Sequence, residues 1–146
     1  MEVKITLTRP QAKMPVYATP GSAAADLHAV LDQPLEVPAH GRVMVPTGVA
    51  IQLPNAGWVA LVCARSGLAV KHGLALSNGV GVIDSDYRGE IGVGLVNLSQ
   101  QAYTIQPGER IAQLMIMPVA QAAFVQVDQL DETQRGEGGF GSTGRA

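Results

Sequence analysis

The sequence predicts an all-β fold, and three observations support this prediction. Apolar residues alternate with polar ones at a period of two, rather than the 3.6 of a helix, in segments such as 3–7 and 91–95. The chain of 146 residues contains 17 Gly and 9 Pro, a turn-rich composition that disfavours a helical bundle. Plausible turns, including residues 38–41 and 54–57, separate the alternating runs at short intervals. Many short strands at close spacing are typical of a β-sandwich, a jelly roll or a β-barrel.

In chain order, alternating apolar residues predict strands near residues 3–7, 43–45, 49–53 and 91–95. Residues 66–73 break this pattern and predict one short helix, with Ser66 as its N-cap and Gly73 as its C′ residue. Residues 78–90 are expected to form a strand, a turn and a second strand. Residues 111–117 are apolar on nearly both faces, which predicts a strand buried between two layers.

The segment 131–146 differs from the rest of the chain in composition. Five of its sixteen residues are Gly, and Phe140 is its only large apolar residue, so it cannot form a core element alone. We therefore predict a single β domain at residues 1–130, followed by a flexible Gly-rich arm at residues 131–146.

Charge and cysteine content exclude several classes of function. The formal net charge is −2, so there is no basic surplus for binding nucleic acid. The lone Cys63 excludes an intrachain disulfide and a thiolate zinc cage. No apolar run approaches the roughly 20 residues that span a bilayer, and the start of the chain lacks a signal-peptide core. We expect a cytoplasmic protein with no nucleic-acid or membrane partner.

Two segments carry residues suited to phosphate chemistry. Arg65, Ser66 and Gly67 combine a guanidinium, a hydroxyl and free backbone N–H groups before the predicted helix, which suits a phosphate; an ordinary helix cap with a surface arginine is the alternative. Asp84 follows an apolar stretch and could act as a general base toward water. The alternative is a turn aspartate that caps its own backbone.

Other candidates are less specific. Asp26 lies among small residues, where it could organise a hydrated metal or an arginine, or simply end a strand. The three histidines share no ligand spacing, so no transition-metal site is predicted. Residues 139–144 match G-x-G-x-x-G, but a Rossmann site needs a helix after it. In that arm, Arg135 and the hydroxyl of Ser142 could bind an anion and Phe140 could stack on a base; a disordered tail is the alternative.

Taken together, five segments resemble, in order, the five motifs of the homotrimeric dUTP diphosphatase (dUTPase) family. They are Ala24-Ala25-Asp26-Leu27, Arg65-Ser66-Gly67-Leu68-Ala69, residues 81–89 (GVIDSDYRG), residues 108–114 (GERIAQL) and residues 135–144 (RGEGGFGSTG). The match extends from about residue 20 to residue 144, and the third and fifth motifs are the most specific.

The resemblance implies a jelly-roll-like β fold and a homotrimer with three active sites at subunit interfaces. It implies hydrolysis of dUTP to dUMP and pyrophosphate, which limits uracil in DNA and supplies dUMP for dTMP synthesis. Asp84 would activate the water that attacks the α-phosphorus. The expected cofactor is Mg²⁺, held by the phosphates and by waters with no direct protein ligand, which would neutralise the triphosphate without a protein cage.

The resemblance also assigns the substrate contacts. Asn78 and the backbone at Val82 and Ile83 would read uracil, and Tyr87 would lie under the deoxyribose and exclude a ribose 2′-OH. The residues expected to hold the phosphates are Arg65, Ser66, Gly67 and Gln113. The residues expected to close over the γ-phosphate and the uracil, from another subunit's arm, are Arg135, Phe140, Gly141 and Ser142. Asp26 would play a supporting role near Arg65.

Two alternatives remain at this stage. A dCTP deaminase, or a bifunctional deaminase–diphosphatase, shares the fold, but it needs an acid–base set at the base ring, and the hairpin with Asp84 and Tyr87 argues against it. A non-enzymatic protein that binds dUTP and signals to partners would not need Asp84.

Overall fold

The computed structural model describes residues 1–139 and confirms the all-β prediction. Within these residues the chain forms one helix and a series of short strands. The elements are β1 Lys4–Leu7, β2 Val16–Tyr17, β3 Ala25–His28, β4 Leu35–Val37, β5 Arg42–Pro46, β6 Val49–Gln52, β7 Trp58–Ala64, α1 Ser66–His72, β8 Leu74–Leu76, β9 Gly81–Ile83, β10 Gly92–Asn97, β11 Tyr103–Ile105 and β12 Arg110–Pro118.

The strands form four antiparallel sheets, and most partners are distant in sequence. The largest sheet has the order β2-β3-β12-β7-β9, and a second has the order β5-β10-β8. Two small sheets pair β1 with β6 and β11 with β4. This arrangement is consistent with a jelly-roll-like fold, in which strands from separate parts of the chain lie side by side.

The core forms where the inward-facing residues of these sheets meet. On β10, Val93 and Leu95 are buried while Gly92 and Gly94 face outward, as the period of two predicts. The largest apolar side chains with almost no exposed surface are Leu27, Leu74, Ile91, Leu95, Ile105 and Ile111. Aliphatic residues rather than aromatics therefore fill the interior, in agreement with an aromatic content of only 4%.

The helix confirms the predicted C-terminus and corrects the predicted N-terminus. Gly73 ends α1 with φ of 71°, and its N–H donates to the carbonyl of Ala69 at 3.0 Å. A Cβ there would lie 2.9 Å from Ser99, so glycine is required. The prediction of Ser66 as N-cap was wrong, because Arg65 occupies the N-cap in an extended conformation and no side chain caps the helix.

The last strand ends at Pro118, and residues 119–139 contain neither helix nor strand. Apolar side chains of this segment are largely exposed in the single chain, Phe124 to 98% and Leu130 to 81%. The division at residue 130 into a domain and a flexible arm stays a prediction. In the part of the chain described, no helix is both long enough and apolar enough to cross a membrane.

Candidate active site

Strand pairing in the largest sheet aligns two of the predicted site residues. Asp26 on β3 pairs with Gln113 on β12, so both side chains lie on the same face of the sheet. Gln113 pairs in turn with Cys63 on β7, and β7 leads directly to Arg65 at the start of α1. The sheet therefore gathers residues from the first, second and fourth motifs.

The carboxylate of Asp26 binds two guanidinium groups. Its Oδ1 lies 3.1 Å from Nε of Arg65, and its Oδ2 lies 3.1 Å from Nη1 of Arg110. Arg65 also donates from Nη1 to the main-chain carbonyl of Arg110 at 3.0 Å. One carboxylate thus holds two cations in place, and the cluster keeps a net charge of about +1, which favours an anion.

A cavity of about 320 Å³ opens beside this cluster. The residues that line it are Ala18, Ser22, Ala23, Ala24, Asp26, Arg65, Ser66, Gly67, Arg110, Gln113 and Met115. The four predicted phosphate contacts are all among them, together with Asp26. Gly67 has nothing within 4 Å of the place a Cβ would take, so its backbone is open to the cavity.

His28 lies two residues beyond Asp26, on the same face of β3, and its environment disfavours a positive charge. Burial lowers the pKa of His28, and the charge of Lys13 lowers it further despite the nearby Asp26. Its Nδ1 is buried without a hydrogen-bond partner among the described residues. A neutral imidazole is therefore the favoured form next to the two arginines.

The predicted uracil-reading residues lie on β9 and in the turn that joins β8 to β9, which we call the hairpin segment although its two strands pair in different sheets. Gly79 sits in its turn with φ of 74°, beside Asn78, in a conformation that favours glycine. β9 is the edge strand of its sheet, and Val82 is 58% exposed there. An edge strand presents unpaired backbone N–H and C=O groups, which suit a flat polar ligand.

The loop that follows β9 carries Asp84 and Tyr87, and hydrogen bonds to its own main-chain carbonyls stabilise it. The N–H of Tyr87 donates to the carbonyl of Asp84 at 3.2 Å, and Nη1 of Arg88 donates to the carbonyl of Ser85 at 2.8 Å. The carboxylate of Asp84 is exposed and lines a second cavity, of about 550 Å³, together with Trp58. The Asp84 carboxylate is thus presented outward.

The two groups of residues do not meet within one chain. Asp26 lies on β3 and Asp84 follows β9, three strand spacings away, which is about 14 Å. The row of paired residues through Asp26 reaches β7 at Cys63. Ile83 pairs with Ala60, three residues beyond that row. Asp84 is therefore four residues beyond that row, a shift of about 13 Å along the strands.

Sequence reasoning missed two residues of this site. Arg110 shares the Asp26 carboxylate, and Trp58 lines the cavity at Asp84. A basic residue at the start of a largely apolar strand was the available signal for Arg110, but its partner lies 84 residues away in sequence. Nothing in the sequence around Trp58 connects it with Asp84.

The predicted residues of the arm are only partly described. Arg135 is exposed and donates from Nε to the carbonyl of Gly138 at 2.7 Å, so it is turned toward its own segment. Phe140, Gly141 and Ser142 lie outside the described residues. Within residues 1–139, no group of three or more His, Cys, Asp or Glu side chains is arranged to hold a metal ion.

Comparison with known proteins identifies the family. The dUTPase family model matches residues 10–144. The chain belongs to the dUTPase family. The deoxyuridine 5'-triphosphate nucleotidohydrolase of Desulfitobacterium hafniense is 56% identical over 146 residues, covering 99% of this chain and 97% of that protein. The protein of the same name from Aeromonas salmonicida is 53% identical over 132 residues, covering 90% and 87%.

Solved dUTPase structures share the fold. A mutant dUTPase of Staphylococcus bacteriophage 80alpha with dUpNHpp superposes with a TM-score of 0.89 at 26% identity, covering 99% of both chains. A mutant dUTPase from phage phi11 of S. aureus, described as coordinating a structural Mg(II) ion, has a TM-score of 0.81 at 22% identity, covering 90% of this chain and 100% of that one. The jelly-roll-like prediction and the resemblance to dUTPases are both confirmed.

Proposed function

We propose that this dUTPase hydrolyses dUTP to dUMP and pyrophosphate, through water activated by Asp84, at sites that two or more subunits build together. The observation that carries the proposal is that the chain places a cationic cavity and an exposed carboxylate in two separate regions. A cationic cavity around Asp26, Arg65 and Arg110 suits a triphosphate, and an outward-facing carboxylate at Asp84 suits a general base.

The phosphates bind in the cavity beside Asp26. Arg65 uses Nε and Nη1 for protein acceptors, which leaves the N–H groups of Nη2 for phosphate oxygens. The hydroxyl of Ser66 and the open backbone at Gly67 add donors. Gln113 donates from Nε2 to the carbonyl of Ala64 at 3.0 Å, which fixes the orientation of its amide in the cavity wall.

The base and sugar bind at the hairpin. The amide of Asn78 and the free backbone edge at Val82 and Ile83 pair with the polar edge of uracil. Tyr87 packs beneath the deoxyribose, and its ring occupies the space that a ribose 2′-OH would need. The hydroxyl of Tyr87 donates to the main-chain carbonyl of Glu90 at 3.0 Å, which orients the ring.

Asp84 removes a proton from a water molecule as that water attacks the α-phosphorus. A bond forms from the water oxygen to the α-phosphorus, and the bond from that phosphorus to the oxygen bridging the α- and β-phosphates breaks. Pyrophosphate leaves with the bridging oxygen, and dUMP keeps the new one. The catalytic contribution of the protein is positioning and charge stabilisation around one base.

The substrate would bind as its Mg²⁺ complex, with the ion held by phosphates and waters rather than by side chains of this chain. The donor set fits this arrangement, because the Asp26 carboxylate is occupied by two arginines and the described residues offer no cluster of ligands. The ion neutralises phosphate charge. The residues of this chain hold and orient the complex.

A homotrimer completes the site. Asp26 and Asp84 are too far apart in one chain to act on one dUTP, so the hairpin of one subunit would face the cavity of another. The exposed apolar side chains of residues 119–130, such as Phe124 and Leu130, also need a protein surface to cover them. The arm of a further subunit would bring Arg135, Phe140, Gly141 and Ser142 over the γ-phosphate and the uracil.

The rival functions are less consistent with the site. A dCTP deaminase of the same fold needs acid–base groups at the base ring, whereas the hairpin supplies an amide and bare backbone there. A dUTP-sensing protein without catalysis would not need the exposed Asp84. We place the reaction in the cytoplasm, with no nucleic-acid or membrane partner, in line with the net charge of −2.

Product analysis tests the proposal directly. The purified protein is incubated with dUTP, UTP, dCTP or dTTP in the presence of Mg²⁺, and the products are separated. We expect dUMP and pyrophosphate from dUTP and little turnover of the others. Deoxyuridine products from dCTP would favour the deaminase, and dUTP binding without turnover would favour the sensor.

A further inference from the structure

The side chain of Glu90 joins three separate segments of the chain. Its carboxylate accepts hydrogen bonds from the hydroxyl of Thr8 at 3.0 Å, from Nε of Arg9 at 2.9 Å and from the N–H of Gly48 at 3.0 Å. Burial raises the pKa of Glu90, but the hydrogen bonds from Gly48, Arg9 and Thr8 outweigh this effect, and the pKa is lowered overall. The bonds therefore favour the charged carboxylate.

The segments that carry the donors to Glu90 are packed against each other. Gly48 has φ of 66°, and a Cβ there would collide with Ala12, so the turn after β5 packs directly against the N-terminal segment. The N–H of Thr8 donates to the carbonyl of Gly48 at 2.8 Å, which joins the two donor segments to each other. Glu90 thus bonds to two segments whose main chains are already joined to each other.

The main chain of Glu90 holds the ring of Tyr87. The Tyr87 hydroxyl donates to the Glu90 carbonyl at 3.0 Å. Between them, Gly89 has no room for a side chain, because a Cβ would lie 2.6 Å from Cζ of Tyr87. On the far side, the N–H of Ile91 donates to the carbonyl of Val49 at 2.8 Å. The position of the Tyr87 hydroxyl therefore depends on where Glu90 is anchored.

We propose that Glu90 is a positioning residue for substrate selection, which holds Tyr87 in the orientation that separates dUTP from UTP. The inference rests on the proposed function, in which Tyr87 excludes the ribose 2′-OH. Glu90 contacts neither substrate nor the reacting atoms. Its anchors, Thr8 and Arg9, lie outside all five motifs, so part of the sugar specificity depends on the N-terminal segment.

The test compares kcat/KM for dUTP and UTP in the full-length protein. Glu90→Gln and Arg9→Ala should each lower the preference for dUTP by about fivefold, the effect typical of losing one protein hydrogen bond. Glu109→Gln is the matched control. The Glu109 carboxylate also accepts two protein hydrogen bonds, from Tyr103 and from the N–H of Gln106, but it lies away from the hairpin. This control should lower thermal stability and leave the ratio unchanged.

A conservative pair at Thr8 separates positioning from general destabilisation. Thr8→Val removes the hydroxyl but keeps the shape of the side chain, and it should lower the ratio. Thr8→Ser keeps the hydroxyl and should retain the ratio of the unsubstituted protein. Equal ratios for the two variants would overturn the proposal.

A measurement that needs no turnover keeps this inference separable from the proposed function. The chain contains 3 Tyr, so a protein labelled with 3-fluorotyrosine gives few ¹⁹F resonances, which Tyr→Phe variants assign. The Tyr87 resonance should shift or broaden in Glu90→Gln and Arg9→Ala but not in Glu109→Gln. An unchanged Tyr87 resonance in both variants would overturn the positioning role of Glu90, even if the protein hydrolyses dUTP.

Tyr87→Ala distinguishes a wrong role for Glu90 from a wrong role for Tyr87. If Tyr87→Ala abolishes the preference for dUTP while Glu90→Gln leaves it intact, the positioning role of Glu90 is wrong and the proposed role of Tyr87 stands. If Tyr87→Ala leaves the preference intact, both are wrong.

Discussion

The cavity around Asp26 and the loop around Asp84 are built in different ways. In the cavity, neighbouring strands hold charged side chains against one another, and the Asp26 carboxylate is only 14% exposed. In the loop, main-chain carbonyls accept the hydrogen bonds, and the side chains of Asp84 and Tyr87 are exposed. The proposed phosphate-binding half is therefore preorganised within one chain, whereas the proposed chemical half would need a second surface to complete it.

The largest effect should come from the loop. Asp84→Asn keeps the size and polarity of the side chain but cannot accept a proton from water. Turnover should fall by about 10²- to 10⁴-fold, the usual contribution of a general base, while dUTP affinity stays within a few-fold. Single-turnover kinetics and binding of a non-hydrolysable dUTP analogue measure the two quantities. Unchanged turnover would remove Asp84 as the base.

Mixing two inactive variants tests whether the regions act across a subunit boundary. Arg65→Ala disables the cavity, while Asp26 stays paired with Arg110, so the sheet should remain folded. Arg65→Ala and Asp84→Asn chains are unfolded together and refolded at equal concentrations. About a quarter of the sites should then combine an intact hairpin with an intact cavity, because each half is intact with probability one half.

The controls for this mixture are each variant refolded alone, which should stay inactive. A mixture with no more activity than either variant alone, although size-exclusion chromatography shows trimers, would place both regions in one subunit's site. Recovery of activity would establish the composite site without any structure of the complex.

The same contrast explains what could be predicted from the sequence. The period of two located β1, β5, β6 and β10, because a half-buried strand leaves a local pattern of apolar residues, and a run that is apolar on nearly both faces located β12. Gly73 marked the end of α1, since a left-handed residue favours glycine. The motif residues that line the cavity were also found, from their resemblance to a family.

Long-range pairing was not predictable in this way. Arg110 meets Asp26 only because β12 lies beside β3, and nothing local in either segment reports that register. The separation of Asp84 from Asp26 depends on two intervening strands and could not be inferred from motif order. Ser66 was wrongly assigned as N-cap because cap preference is weak, and here Arg65 takes that position, its guanidinium held by Asp26.

Removal of the arm should have a smaller effect than either active-site substitution. A chain ending at Thr133 keeps every strand of the described residues, the last of which ends at Pro118, so it should fold and assemble as the full-length protein does. Activity should fall by about tenfold or more if, as proposed, the arm excludes water from the site and completes the phosphate contacts. Full activity in the truncated trimer would separate residues 134–146 from catalysis.

The smallest effects should appear in the pH dependence of stability, with a different window for each region. The pKa of His28, beside the cavity, is lowered in the folded protein. As pH falls below the ordinary value of 6.5, His28 therefore binds a proton in the unfolded chain before it does so in the folded protein. Stability is therefore highest above that value and declines as pH falls toward the folded pKa. The pKa of Glu90, beside the loop, is also lowered in the folded protein. Its charged carboxylate therefore stabilises the fold above the ordinary value of 4.5, and this stabilisation is lost as pH falls below that value.

Urea unfolding at about pH 7.5, pH 5.5 and pH 3.5 distinguishes the two windows, provided protein concentration is held constant for an oligomer. His28→Gln should reduce the loss of stability between the first two values and leave the lower window unchanged. Glu90→Gln should be less stable than the unsubstituted protein at neutral pH, and the difference should narrow toward the lowest pH, because the stabilisation that comes with the lowered pKa of Glu90 is lost as pH falls. A His28→Gln variant that follows the unsubstituted protein at all three values would mean that the buried Nδ1 of His28 is accommodated equally well in both charge states. In that case the acid sensitivity of this dUTPase would arise from the carboxylates alone, and the cavity would tolerate mild acid better than its buried histidine suggests.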